Sequence, residues 1–125
     1  MTSIKPFKIQ TSEQELKDLK QRLTLTRWPD KETPPDWSQG IPLSYMIEIH
    51  DYWLNQYDWP ARLALLNQWP GFKTEIDGLG IHFLHIKSAE PDALPLLMTH
   101  GWPGSIVEFQ KIIGPLTNPT EHGGL

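Results

Sequence analysis

The stretch LPLLMTHGWPGS, residues 94–105, decides how this chain is read. LPLLMT (94–99) is apolar at alternate and at intervening positions. A strand of that kind is buried on both faces, which happens inside a sheet covered by helices on each side. HGWPGS (100–105) follows it, and Ser105 with Glu108 has the spacing of a capping box. The helix it opens is expected to bury Phe109, Ile112, Ile113 and Leu116. Strand, loop and helix in this order open an α/β sheet, and α/β folds place their sites in loops at the carboxyl ends of strands.

Moving upstream, FKTEI (72–76), Asp77-Gly78-Leu79-Gly80 and IHFLHIK (81–87) read as strand, tight turn and strand. The first seventy residues are helical in pattern. Ser12 and Glu15 form a capping box, Leu16, Leu19 and Leu23 recur at helical spacing, and Pro29 ends the helix. Residues 29–42 hold Pro29, Pro34, Pro35, Gly40 and Pro42, a proline-stiffened excursion flanked by Trp28 and containing Trp37. Leu43, Met46, Ile47, His50, Trp53, Leu54 and Tyr57 then make one continuous helical stripe. A third helix starts at Asp58, with Pro60 near its first position, turns Leu63, Leu66 and Trp69 inward, and stops at Pro70-Gly71. The expected division is 1–71, helical, and 72–125, the first strands and first helix of an incomplete α/β domain.

Composition narrows the function classes. The chain has 125 residues, 38% apolar and 21% charged, as in a soluble globular protein. Net charge is −4 with both signs interspersed, which argues against nucleic acid as a partner. There is no cysteine, which excludes disulfides, thiolate metal sites and thiol nucleophiles and suits a reducing cytoplasm. No run approaches about 18 apolar residues, and no secretory leader or membrane anchor is expected.

The HGWPGS loop offers one piece of chemistry. Its glycines let the backbone turn closely and Pro103 fixes φ, so a backbone N–H can be aimed at a developing oxyanion. Pro103 has no N–H, which leaves Trp102 as donor. The same residues also make a plain strand-to-helix turn.

HGWPGS after PDALPLLMT, preceded by TEIDGLGIHFLHIKS, resembles the start of the α/β-hydrolase domain of epoxide hydrolases of the microsomal type. RLTLTRWPD and WSQGIPLSYMIEIHDYWLNQYDWPARLALLNQWPGF resemble that family's N-terminal region, which wraps the hydrolase body and lid. The likeness runs from about Phe7 to Leu116. It implies an α/β-hydrolase fold and a two-step, cofactor-free reaction. A carboxylate opens the epoxide to give an ester, and water activated by a histidine–acid pair hydrolyses it while two lid tyrosines serve the epoxide oxygen. It implies that Trp102 supplies an oxyanion N–H, that His100, Gly101 and Pro103 shape the loop, and that the substrate is a small epoxide of an apolar or aromatic compound.

The departures are as informative. No nucleophile elbow of the G-x-S-x-G kind or its aspartate variant occurs in residues 1–125, and Asp77 lies in a hairpin turn. The family's acid, base and tyrosines would come later still. The chain is therefore expected to be the N-terminal part of such an enzyme, inactive alone. The fourth strand, which joins 94–99 to the hairpin in that fold, would follow Leu125. Open edges of this kind favour pairing with a complementary chain, self-association or aggregation, so a non-catalytic interaction module is the competing reading.

The remaining candidates are structural. His50 lies on an apolar stripe. His82 and His85, three apart on a strand, face opposite ways and cannot chelate together. No metal site is expected. Trp28, Trp37, Trp53 and Trp59 read as core or turn anchors rather than a sugar platform, and Arg27 as one half of an ion pair.

Overall fold

The computed structural model describes residues 3–124. Its elements, in order, are β1 (Lys5–Pro6), α1 (Glu13–Thr24), α2 (Leu43–Asn55), α3 (Trp59–Leu66), β2 (Gly71–Ile76), β3 (Leu79–Leu84) and α4 (Ile113–Thr117). Short 3-10 turns at Ile106–Phe109 and Pro119–His122 flank α4. The chain forms two compact units. One is Gln10–Pro60; the other combines the residues up to Ile9 with those from Ala61 onward.

In the Gln10–Pro60 unit, α1 packs on α2. The capping box at its start is formed: Ser12 Oγ accepts from Glu15 N at 3.2 Å, and the Glu15 carboxylate accepts from Ser12 N at 2.7 Å. Ser12 N, together with Ser12 Oγ, which donates to the same carboxylate at 2.8 Å, holds the Glu15 carboxyl below its ordinary range. Helix α2 has Pro42 at its N-cap, which brings no capping side chain. Glu32, eleven residues earlier, supplies one: its carboxylate accepts from Leu43 N at 2.9 Å, and that bond lowers its pKa. The proline-rich excursion is thereby fastened to the helix it precedes.

The other unit is built on a three-stranded antiparallel sheet in the order β1-β2-β3. Asp77 (φ 51°) and Gly78 (φ 80°) make a two-residue turn with both φ angles positive, the geometry that matches strand twist. Leu79 and Gly80 therefore belong to β3 rather than to the turn. The two strands pair from Gly71↔Leu84 to Ile76↔Leu79.

Strand β1 was not anticipated. Lys5 pairs with Lys73, Pro6 with Phe72, and Phe7 N donates to Gly71 O at 2.8 Å. Proline is tolerated because β1 is an edge. Asn67 extends this attachment, its Oδ1 accepting from Ile9 N and its Nδ2 donating to Ile9 O, both at 2.9 Å. The amide stands in for one more strand residue. Asn67→Ala leaves both Ile9 groups unpaired and is expected to cost about 1–3 kcal/mol, read as a lower urea midpoint. Asn67→Asp keeps only the acceptor and should fall between.

Three expectations are corrected. Residues 94–99 do not form a strand; the segment is exposed throughout, with Leu94 and Leu97 each 90% accessible. A strand needs a partner backbone, and among the described residues none lies beside it. The single helix expected after Ser105 is instead a 3-10 turn followed by α4. A continuous helix would set Pro115 in its interior against the carbonyl of Lys111; restarting at Ile113 puts Pro115 in a first turn. The second capping box is absent too, since Ser105 Oγ accepts from Val107 N at 3.3 Å in the tighter turn.

The core is slight. Among the described residues only Leu23 and Ile113 are buried hydrophobics, and Ile112 and Leu116 stay exposed. The stripe of α2 is likewise half uncovered at Met46, Ile47 and Trp53. The accessible surface is 10693 Å². Two separate globules of the units' sizes would expose only about 8,200 Å².

Candidate functional site

The loop of residues 100–105 is a turn closed by Gly104 N donating to Gly101 O at 2.7 Å, with a cis peptide between Trp102 and Pro103. His100 Nδ1 lies 3.2 Å from Gly101 O, within its own loop. Gly104 is required here. A Cβ on it would strike the Glu108 carboxyl and come within 2.9 Å of Gly101 O.

Among the described residues, Trp102 is the most exposed large apolar one, 96% accessible. Its backbone N–H meets no acceptor among the described residues. The amide is thus available rather than consumed by the turn. Two cavities lie away from the loop. One, of about 470 Å³, is lined by residues including Phe7, Asn67, Trp69 and Phe72. The other, about 530 Å³, lies among Leu16, Leu19, Ile49, Tyr52, Trp53, Tyr57 and Trp59.

The other candidates resolve as packing groups. His50 Nε2 lies 2.9 Å from Leu23 O at the end of α1, and its ring meets Trp28 edge to face at 5.0 Å. His82 lies against Phe7 and His85 against Phe72, on opposite faces of the sheet. Burial, and then the Lys73 ammonium, hold the His82 pKa below its ordinary value. Trp37 packs on Tyr45. Arg27 joins no ion pair among the described residues; the pair that forms is Arg22–Asp18, on the exposed face of α1. No group of three or more metal-ligating side chains occurs among the described residues.

Two anchoring residues escaped the sequence reading, Glu32 and Asn67. Each acts on a backbone distant in sequence, Asn67 across 58 residues. The one local signal was Pro42 before an apolar helical stripe, which marks a helix start in want of a cap.

The family described as "Epoxide hydrolase N terminus" matches residues 4–109. The chain is 54% identical over 121 residues to a putative epoxide hydrolase of Stigmatella aurantiaca (strain DW4/3-1), covering 97% of this chain and 28% of that protein. It is 44% identical over 125 residues to epoxide hydrolase 1 of Sus scrofa, again covering 97% of this chain and 28% of the relative. Among solved structures it superposes on the juvenile hormone epoxide hydrolase of the silkworm Bombyx mori with a TM-score of 0.83 and 39% identity, covering 91% of this chain and 28% of that one. The Aspergillus niger epoxide hydrolase gives a TM-score of 0.81 at 37% identity, with 89% and 30% covered. These folds define an α/β-hydrolase type of protein. Within that class, this chain belongs to the epoxide hydrolase family, as its N-terminal region. It spans about 28% of the length of the curated relatives it matches.

Proposed function

We propose that the chain is the N-terminal portion of an epoxide hydrolase that converts small apolar epoxides to vicinal diols through a covalent ester. The observation that carries this reading is the family match over residues 4–109, which takes in the HGWPGS loop. In the proposed reaction a carboxylate outside residues 1–125 attacks an epoxide carbon, and the ring C–O bond breaks toward the oxygen. Water then adds to the ester carbonyl. Negative charge gathers on that carbonyl oxygen, and the unpaired Trp102 amide donates to it. His100, Gly101 and Pro103 hold the turn. The proposed reaction uses no metal or cofactor, and a cytoplasmic setting is part of the same proposal. No helix among the described residues is long and apolar enough to cross a membrane.

Alone, residues 1–125 hold the oxyanion donor without nucleophile or base. Purified chain incubated with styrene oxide is expected to give no diol above the buffer rate. Addition of the remaining polypeptide, produced separately, is expected to give diol. Turnover by the chain alone would overturn the assignment of the nucleophile to another segment.

The surface supports a second reading, a non-catalytic module that completes its core on a complementary chain or an intact relative. The excess over two globules, about 2,500 Å², is of the size buried in stable protein–protein interfaces. Under this reading the chain binds the remaining polypeptide and diol formation stays at background.

A further inference from the structure

We propose that Phe7 latches the N-terminal strand to the sheet and that acid opens the latch, because its ring touches both Lys73 Nζ and the His82 imidazole. This inference is independent of the reading above.

Lys73 Nζ lies 3.8 Å from the Phe7 ring centroid, and the His82 ring meets Phe7 edge to face at 5.1 Å with an interplanar angle of 67°. His82 stands directly across from Lys73 in the β2–β3 ladder. Its Nε2 would be 3.4 Å from a Cβ placed on Gly71, so the imidazole lies beside Gly71, whose carbonyl accepts from Phe7 N. Gly71 is needed at this crossing, since the same Cβ would come within 2.7 Å of Phe7 O.

Strand alternation puts the other charged groups of this face in place. From β1 there is Lys5, opposite Lys73; from β2 there are Lys73 and Glu75; β3 contributes only His82 itself. Glu75 pairs with Gly80, one step along the face from His82. Neutral His82 packs on Phe7 without penalty. Protonated, it becomes a second cation directly across from Lys73, and its ring makes no hydrogen bond among the described residues. Burial and Lys73 already depress its pKa from 6.5. A depressed histidine leaves stability intact above 6.5 and takes it away as pH falls from there through the lowered value. Strand β1 has two residues and is the weakest element of the sheet, so it is the part that opens.

The test is amide exchange on the 125-residue chain at pH 7.5 and 5.0, corrected for intrinsic rates. Protection of the Phe7 and Ile9 amides is expected to fall about two- to five-fold at the lower pH, relative to Ile81 in the hairpin. In His82→Gln the fall should vanish. In Lys73→Gln the His82 midpoint, followed by its ring proton shifts, should rise toward 6.5. Protection that ignores pH, a fall that persists in His82→Gln, or a midpoint unmoved in Lys73→Gln would overturn the proposal.

Discussion

Trp102→Pro, in enzyme reassembled from this chain and the remaining polypeptide, is expected to lower kcat by about 10²–10³-fold, the usual effect of removing one oxyanion donor. Proline at this position deletes the N–H and leaves the loop otherwise short and closed by Gly104 N to Gly101 O. The loss should fall on ester hydrolysis, where the carbonyl oxygen gains charge, and not on ring opening. Mass spectrometry of the quenched enzyme should therefore show the covalent ester accumulating. Trp102→Ala keeps the amide and removes a side chain that is almost wholly exposed. It is expected to lose far less activity. Equal losses in the two variants, or no ester in Trp102→Pro, would show that the amide is not the donor.

Association with the rest of the polypeptide should have its largest structural effect at residues 94–99. In the chain alone this segment has neither cover nor hydrogen-bonded neighbours among the described residues, and its amides should exchange near the unprotected rate. Once a strand pairs with it on each side, the amides of Leu96–Thr99 should slow by about 100-fold or more, because a central strand opens only with much of the fold. Exchange followed by mass spectrometry, with and without the remaining polypeptide, decides this. Slow exchange in the isolated chain at low concentration would mean that the segment already has a partner, and a concentration dependence of that rate would identify it as a second copy.

These contrasts explain which parts of the structure were legible in the sequence. The Ser12–Glu15 box and the Asp77-Gly78 turn are decided within four residues, by hydrogen-bonding reach in one case and positive φ in the other. The first formed as read; the second formed where it was expected but closes over two residues instead of four, with Leu79 and Gly80 paired in β3. The apolar run 94–99 is no less a strand sequence, yet strands are made by their neighbours, and periodicity carries no information on whether a neighbour is present. Helix 106–116 failed for a local reason that was visible: Pro115 outweighed Ser105 and Glu108. Strand β1 and the Asn67 clamp depend on groups far apart along the chain, and two residues containing Pro6 give no strand pattern. The HGWPGS loop was recognisable as a likeness before its geometry was known. Its open amide was not, because whether a turn consumes its own N–H groups depends on which of them it bends back.

The clamp between Asn67 and Ile9 also fixes an order of events during synthesis. Ile9 leaves the ribosome 58 residues ahead of the side chain that holds it, and Phe7 waits still longer for Gly71. The nascent N-terminus must therefore stay unattached while Gln10–Pro60, whose contacts are internal, is free to form first. A translational pause before residues 67–84 have emerged from the ribosome would leave the first nine residues open to chaperones and proteases, and one after their emergence would not.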